Sequence, residues 1–390
     1  MKIRKYTVVL LLVFFGCAGS MQSYSLDNPG DHKIEKEFKV KSGQTLSLDL
    51  KTGSDIFVEG WDKEIVKVTA YFDPDEVGFT FEQEGGRVII RSENDDWGDS
   101  SSDTKVRVMV PKKFNLEIGT MGGDVTLKGV EGDAKGQTMG GDLILNNLKG
   151  TLELTTMGGE ISLTDSEVDG KVKTMGGDVL VKNVIGDVNA TSMGGDIRQI
   201  NVKSQSGKLS AGDEVNITTM GGDIDVDEAM NGAKIKTMGG EITVEKAKKY
   251  VEAETMGGDV KLKSVDGWIK ATTMGGDVEA VMVGDPKEGK RDVELKSMGG
   301  DIRLFVPDGL DMDIEIEIVY NRRHKNKVDI ISDFDIEKKT ETKKDRNKKK
   351  WDDWDGDSKT EYLIGTGKVG SGKNKIRIRT FSGKVYLKKN

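Results

Sequence analysis

The sequence predicts an all-β protein folded as a parallel β-solenoid, and three observations support this. The motif Thr-Met-Gly-Gly-Asp, or a near copy, occurs ten times, and seven of the nine intervals between copies share one 18-residue period, as from Met121 to Met139. Aliphatic residues alternate with polar residues on both sides of each copy. Glycine is abundant, with 50 residues against only 5 prolines. A strict period of this length indicates one structural unit stacked on itself.

The first strand of each unit follows the acidic residue of the motif. The position directly after the acid is aliphatic in all ten copies, and the position two residues further is a large aliphatic in eight, with Gln199 as the one polar exception. Alternation with period two predicts a strand with one buried face. The ten residues of the first column are Val125, Leu143, Ile161, Val179, Ile197, Ile224, Ile242, Val260, Val278 and Ile302.

A second strand precedes each Met, with smaller apolar residues five and three positions before it, such as Leu116 and Ile118 in the first copy. We favour two strands in each 18-residue coil, which stacks identical residues, over a three-sided 27-residue coil, which would scatter the Met residues around the stack. We expect equivalent strands of neighbouring coils to lie ~4.8 Å apart. The two glycines suit a corner that needs positive φ or close approach of two backbones.

Two intervals are longer, a 27-residue interval after Met193 and a 24-residue interval after Met274. For the first we predict either a loop around 204–211 or an extra half coil. The second predicts an excursion through 284–287, which contains a Gly-Asp-Pro-Lys sequence.

The flanks of the repeat region are strand-like but irregular, so they are predicted to cap the open strand edges of the stack. The predicted organisation is a lipoprotein-type signal peptide at 1–17, a linker at 18–33, an N-terminal β module at 34–115, the repeat solenoid at 116–306, and C-terminal β strands at 307–390 with a charged loop at 337–359.

The N-terminus has the pattern of an export signal. Lys2, Arg4 and Lys5 precede a ten-residue apolar run, which is too short to span a bilayer. Cys17, the only cysteine, follows directly after a glycine, as in bacterial lipoprotein signals. We therefore predict an exported outer-membrane lipoprotein whose membrane contact is acyl chains on Cys17, with the membrane face left open. The alternative is cleavage after Ser20, which would release a soluble exported protein.

The acidic residues of the motif form a second candidate site, because the alternation of inward and outward residues directs their side chains outward. Stacked like charges repel, and cation binding would relieve that repulsion, so a calcium row is one interpretation. The favoured interpretation is that these acids bind backbone N–H groups at the corner and that no cofactor is present. This acidic row consists of Asp124, Asp142, Glu160, Asp178, Asp196, Asp223, Glu241, Asp259, Asp277 and Asp301.

Three further patterns have structural interpretations. The hydroxyl residues before each Met are predicted to point inward, which argues against a flat ice-binding array. The Met side chains are predicted to fold in beside the glycine pair rather than to form an exposed stripe. The run 351–357, with two tryptophans among acidic residues, is predicted to be a charged loop.

We identify no motif for nucleophilic catalysis in the sequence. The two histidines, His32 and His324, both stand beside charged residues in segments predicted to lie at the surface. The net charge of −8 argues against a nucleic-acid partner. The sequence thus predicts a non-enzymatic protein.

Segments at both ends and in the middle resemble a bacterial family of β-strand repeats, a domain of unknown function known by the name "putative adhesin". The opening 42–62, with Gly60-Trp61-Asp62, and the ending 365–385, with Phe381-Ser382-Gly383, look like that family's ends. The family's usual Thr-Gly-Ser-Gly-Asp repeat stands where this chain has Thr-Met-Gly-Gly-Asp. The resemblance implies a right-handed β-solenoid at the cell envelope and supplies no catalytic residues.

Together these observations predict an adhesin-like structural or interaction protein of the envelope, with a protein or glycan partner and with self-association left open. The two alternatives are a calcium-binding repeat protein and a polysaccharide-acting β-helix enzyme of the lyase type.

Overall fold

The computed structural model describes residues 32–94, 104–203, 214–321, 325–342 and 360–390. The described residues form 30 β strands joined in one sheet system and contain no helix, which confirms the all-β prediction. No helix able to cross a membrane is present in these ranges. The predicted signal peptide, Cys17 and the run 351–357 lie outside the described residues.

Seven strands precede the repeats. They are β1 (His32–Lys39), β2 (Thr45–Leu50), β3 (Asp55–Trp61), β4 (Ile65–Phe72), β5 (Val77–Glu84), β6 (Arg87–Asn94) and β7 (Lys105–Pro111).

Seventeen strands form the repeat region. They are β8 (Asn115–Thr120), β9 (Val125–Lys128), β10 (Glu131–Thr138), β11 (Leu143–Asn146), β12 (Lys149–Thr156), β13 (Ile161–Lys173), β14 (Val179–Ile185), β15 (Val188–Thr191), β16 (Ile197–Lys203), β17 (Val215–Thr218), β18 (Ile224–Ala229), β19 (Ala233–Lys236), β20 (Ile242–Glu254), β21 (Val260–Thr273), β22 (Val278–Met282), β23 (Val293–Ser297) and β24 (Ile302–Val306).

Six strands follow. They are β25 (Met312–Tyr320), β26 (Ile330–Ser332), β27 (Glu337–Thr342), β28 (Glu361–Val369), β29 (Asn374–Phe381) and β30 (Val385–Lys389).

Repeats pair with their neighbours in parallel and in register. Leu143 pairs with Ile161, and Leu152 pairs with Gly170, so equivalent residues of successive repeats face each other. Inward columns therefore stack like on like, and all ten residues of the first aliphatic column are at most 1% exposed. This burial confirms the predicted strand face.

The two long intervals keep the same stacking. Ala190 pairs directly with Ile217 across the 27-residue interval, and Ile269 pairs directly with Val293 across the 24-residue one. The 24-residue interval holds the predicted excursion, a turn over 284–289 after β22. Within the 27-residue interval, the predicted loop around 204–211 lies outside the described residues.

The layers at the N-terminal end are not stacked in chain order. Strands β2 and β3 pair in parallel with β8 and β9 on one side and with β6 and β7 on the other. The first layer of the chain is thus second in the stack, and the outer layer is β6 and β7. Antiparallel strands β5 and β4 cover that outer layer, and β1 extends β4.

The C-terminal end repeats this arrangement. Strands β29 and β30, the last in the chain, lie between the layer of β23 and β24 and the layer of β25 and β26. Antiparallel β28 covers β25, and β27 pairs with β28. The predicted charged loop at 337–359 is therefore wrong for Glu337–Thr342, which form a strand because the backbone of β28 offers them a pairing edge. Residues 343–359 lie outside the described residues.

Candidate functional site

Each Met-Gly-Gly-Asp motif forms a corner between two strands, and the Met side chains point outward there. Nine of the ten Met are 40–55% exposed, and Met193 is half-buried. The prediction that they fold in beside the glycines is wrong, because the neighbouring repeat's glycine backbone already fills that space. We call the ten together the Met ridge: Met121, Met139, Met157, Met175, Met193, Met220, Met238, Met256, Met274 and Met298.

The glycine pair is required by close backbone approach. A Cβ on Gly177 would lie 2.2 Å from the carbonyl oxygen of Gly159 in the preceding repeat, far inside van der Waals contact. The first glycine is less constrained, since a Cβ on Gly176 would lie 3.4 Å from the nearest carbonyl oxygen. None of the motif glycines has positive φ, so only the second of the two predicted reasons for glycine is correct.

Buried hydroxyls hold each corner to the one before it. All ten Thr or Ser residues of this column are at most 4% exposed, which confirms their inward direction. The Thr174 hydroxyl donates to the carbonyl oxygen of Gly159 at 2.8 Å and accepts the N–H of Gly177 at 3.2 Å. The same pair of contacts recurs at Thr156 and Thr255. The hydroxyl thus replaces water for two buried backbone groups.

The acidic row forms a hydrogen-bond ladder along the stack. Oδ1 of Asp124 accepts the backbone N–H of Asp142 at 2.8 Å, and Oδ1 of Asp178 accepts that of Asp196 at 2.8 Å. The carboxylates therefore accept hydrogen bonds from backbone N–H groups, as predicted, but each N–H group belongs to the next repeat. The ladder extends beyond the motifs, from Asp55 at one end to the N–H of Lys384 at the other.

Two steps of the ladder differ, and both occur at glutamates. Glu160 and Glu241 donate their N–H groups to the preceding Asp142 and Asp223, but among the described residues their own carboxylates accept no N–H of the next repeat. The longer side chain of Glu241 instead accepts from the Lys261 ammonium at 2.8 Å, and this bond lowers the pKa of that carboxyl.

Charge compensation along the row is partial. Arg303 contacts Asp277 at 3.0 Å and Asp301 at 3.4 Å near the C-terminal end. Within the described residues, no group of three or more His, Cys, Asp or Glu side chains is placed to hold a metal ion. His32 lies at the exposed start of β1, and His324 is outside the described residues.

A second corner was missed in the sequence. Gly129, Asn147, Asp165, Asn183 and Asn201 occupy equivalent positions in successive repeats, and all five have φ between 52° and 67°. The Asn201 side-chain amide donates to Oδ1 of Asn183 at 2.9 Å, and that of Asn183 donates to Asp165 at 2.9 Å. Gly, Asn and Asp are the residues that tolerate this backbone region, so their recurrence at the repeat period was the available signal.

Two local clusters were also missed. Tyr250 and Trp268 stack at 4.8 Å between ring centroids, and Lys290 lies 5.2 Å above the Trp268 ring. Arg291, only 3% exposed, donates to the Val283 carbonyl at 2.7 Å and pairs with Asp266 at 2.7 Å. Arg291 thereby closes the base of the 24-residue excursion. Tyr250 and Trp268 stand one 18-residue period apart and pair in register, so two aromatic residues at the repeat spacing were the available signal for their stack.

Comparison with known families gives a match that covers nearly the whole chain. The family model described as Toastrack DUF4097 matches residues 18–201 and, a second time, residues 195–388. A comparison with curated proteins found no match.

Several solved bacterial structures are similar to this chain. A putative cell adhesion protein of Clostridium sporogenes is 9% identical, with 92% of this chain and 100% of that chain covered and a TM-score of 0.19. A putative lipid binding protein of Parabacteroides distasonis is 14% identical, with 70% and 96% covered and a TM-score of 0.28. A putative adhesin of Bacteroides fragilis is 15% identical, with 70% and 97% covered and a TM-score of 0.27.

Proposed function

Because the chain belongs to the Toastrack DUF4097 family, we propose that it is a non-enzymatic, adhesin-like interaction protein of the bacterial cell envelope. Its architecture in this proposal is a right-handed β-solenoid of 18-residue coils with two strands each. The in-register pairing of Leu143 with Ile161 and of Leu152 with Gly170 supports the coil length.

The observation that best supports this proposed function is the Met ridge. Ten apolar side chains in one line, most of them exposed, give a surface that few monomeric soluble proteins leave bare without a partner. Many weak contacts to a repetitive protein or glycan partner add up through multivalency. A pull-down from envelope fractions with purified protein, against a variant carrying Lys at Met157, Met175 and Met238, tests this. Equal recovery of partners by both proteins would contradict the proposed surface.

The proposed location depends on Cys17. We propose that acylation of this residue holds the protein at the outer membrane. Surface protease accessibility in intact cells, measured for the native chain and for Cys17→Ala, separates anchor from exposure. If Cys17→Ala stays in the membrane fraction, the lipid anchor is wrong. If protease cleaves only after the cells are permeabilised, the protein faces the periplasm.

We propose that the acidic row serves the backbone ladder and needs no calcium. Each Asp of the ladder already uses one carboxylate oxygen on a backbone N–H, as Asp124 does for Asp142. The midpoint of thermal unfolding should therefore not move at millimolar calcium. A calcium-dependent rise that disappears when Asp178, Asp196 and Asp223 are changed to Asn would instead establish a calcium row.

The lyase alternative predicts unsaturated products from uronate polysaccharides. We expect none after incubation with the pure protein, and absorbance of the product double bond measures this directly. Reproducible product formation would overturn the non-enzymatic proposal.

A further inference from the structure

The corner motif has four kinds of recurrent column, and internal contacts explain three of them. The second glycine is required because a Cβ would meet the preceding carbonyl, as at Gly177. The hydroxyl is required by its two buried backbone partners, as at Thr174. The carboxylate accepts the next repeat's N–H, as at Asp178. The Met column has no comparable internal role, because its side chains are mostly exposed.

Simple apolar character does not explain the Met column either. The buried column after the acid interchanges Val, Leu and Ile freely, and the next inward column adds Ala and Gln199. The exposed Met column shows no such exchange across ten copies. What Met has and Leu or Ile lacks is the soft, polarisable thioether sulfur.

The register brings neighbouring thioether side chains within reach of one another. Thr138 pairs with Thr156 in register directly before two successive Met residues, so these Met lie one strand spacing apart, ~4.8 Å. Two metal–sulfur bonds of about 2.3 Å, the length found for zinc and thiolate, span about 4.6 Å. A backbone spacing of similar size allows two flexible Met side chains to bring their sulfurs to one ion. Thioether ligands select soft ions such as Cu(I) over Ca²⁺ or Mg²⁺.

The charge around the ridge also suits a cation. The acidic row follows the Met ridge three residues later in every repeat, and eight of its ten members are Asp with one oxygen left free of the ladder. A line of carboxylates attracts cations to the neighbouring surface through its local potential.

We propose that the Met ridge is a soft-metal site, in which thioethers from adjacent repeats jointly bind Cu(I) or its redox-inert analogue Ag(I). The site is distributed, because each of the interior Met residues can share an ion with either neighbour. This inference goes beyond the adhesin-like function, since metal binding by the pure protein is measured without any protein or glycan partner.

The test compares two variants with five Met→Leu changes each. Leu keeps the apolar character and similar volume, so folding should be preserved. The alternating variant leaves no two neighbouring Met on the ridge and changes Met139, Met175, Met220, Met256 and Met298. The block variant leaves five neighbouring Met and changes Met121, Met139, Met157, Met175 and Met193.

Cu(I), kept reduced without oxygen, is titrated against a coloured Cu(I) chelator, and Ag(I) against the methyl resonances of ¹³C-labelled Met. All samples are the full chain with Cys17→Ser, which removes the single thiol, and circular dichroism confirms folding. The wild type should bind several ions, and the block variant about half as many with the same affinity. The alternating variant should lose affinity at least about threefold. Absence of binding by the wild type, or a smaller difference between the two variants, overturns the proposal.

Discussion

A backbone carbonyl of one repeat lies directly under the second glycine of the next, and this contact sets which residues the corner accepts. At Gly177 a methyl group would meet the Gly159 oxygen at 2.2 Å. At the opposite corner the constraint is different, since Asn183 has φ of 55° and only tolerant residues can adopt it. Two corners of one repeat thus exclude side chains for separate reasons, steric approach in one and backbone conformation in the other.

Gly177→Ala should destabilise the protein by roughly 1–3 kcal/mol or more, because the added methyl overpacks a backbone contact that cannot move alone. Gly119→Ala is the matched control, since its Cβ would lie 3.7 Å from the nearest atom, an ordinary contact. Urea unfolding of both variants measures the difference. Equal free energies of unfolding would show that the corner relaxes at no cost.

Gln199 is the one polar residue in an otherwise aliphatic buried column. It is 3% exposed, pairs in register with Val181 and Val226, and its Oε1 has no hydrogen-bond partner among the described residues. Gln199→Leu should raise the free energy of unfolding by about 1 kcal/mol, because a buried unpaired carbonyl is removed. The reciprocal change Val226→Gln should lower it by about 2 kcal/mol. A loss of stability in Gln199→Leu would show that the amide has a role that packing does not reveal.

At the scale of strands, parallel in-register pairing places equivalent residues of successive repeats side by side, so like charges also become neighbours. Opposite charges in adjacent repeats offset this in several places, as between Lys149 and Glu167 at 2.8 Å or Lys171 and Glu153 at 2.6 Å. Each such exposed pair contributes little stability because solvent screens it, so the pairs serve mainly to relieve repulsion along the stack. The buried hydroxyl column contributes more per contact, because water cannot replace its partners.

One strand junction should be sensitive to acid. Asp311, before β25, accepts the Ser371 hydroxyl at 2.5 Å and the Lys373 N–H at 2.7 Å, and these bonds lower the pKa of its carboxyl to about 2. A depressed pKa in the folded state stabilises the fold above the ordinary value of 3.8, and this contribution is lost as the pH falls through about 2.

Asp311→Asn should therefore lower the thermal midpoint at neutral pH and lose less further stability than the wild type between about pH 4 and about pH 2. Asp62→Asn, on an exposed carboxylate paired with Lys112 at the other end, controls for the change in charge. Thermal unfolding followed by circular dichroism across this range gives both results. If the thermal midpoints of the wild type and of Asp311→Asn fall in parallel as the pH is lowered, Asp311 is not the cause of the acid sensitivity.

For the whole stack, the register means that the repeat is the unit of insertion and deletion. Within the repeat region, each strand pairs with its equivalents in neighbouring layers, as Val179 does with Ile161 and Ile197. Stability is then close to a sum over repeats and their interfaces. At both ends the chain's terminal layer is held inside the stack, which places β2 and β3, like β29 and β30, between two neighbours rather than at an edge.

Deletion of 139–156, one full repeat, should leave a folded protein, because Thr138 would then be followed by Met157 and every column would remain aligned. The shortened stack should lose ~4.8 Å of length by small-angle scattering. Deletion of 139–147, half a repeat, should abolish cooperative unfolding, because inward and outward columns no longer match across the break. If both deletions unfold alike, the layers are not interchangeable.

The repeat, the strand faces and the inward hydroxyls follow from the sequence alone, because these depend on local alternation repeated at one period. Val125 and Leu127 could be assigned to the core, and Thr120 beside them, without any knowledge of the fold. The second corner was within reach of the same reasoning, since Asn147, Asp165 and Asn183 also recur at the repeat period.

Contacts between repeats, in contrast, set the exposure of the Met ridge, the donor of each acidic residue's hydrogen bond and the order of the end layers. These features depend on which atoms of the adjacent repeat lie beside a residue. A side chain that fills a gap and a side chain that is excluded from it recur with the same period, so the sequence pattern does not distinguish them. The glycine backbone of the preceding repeat occupies the space at each corner. The Met side chains are therefore left at the surface, where nine are exposed and Met193 is half-buried.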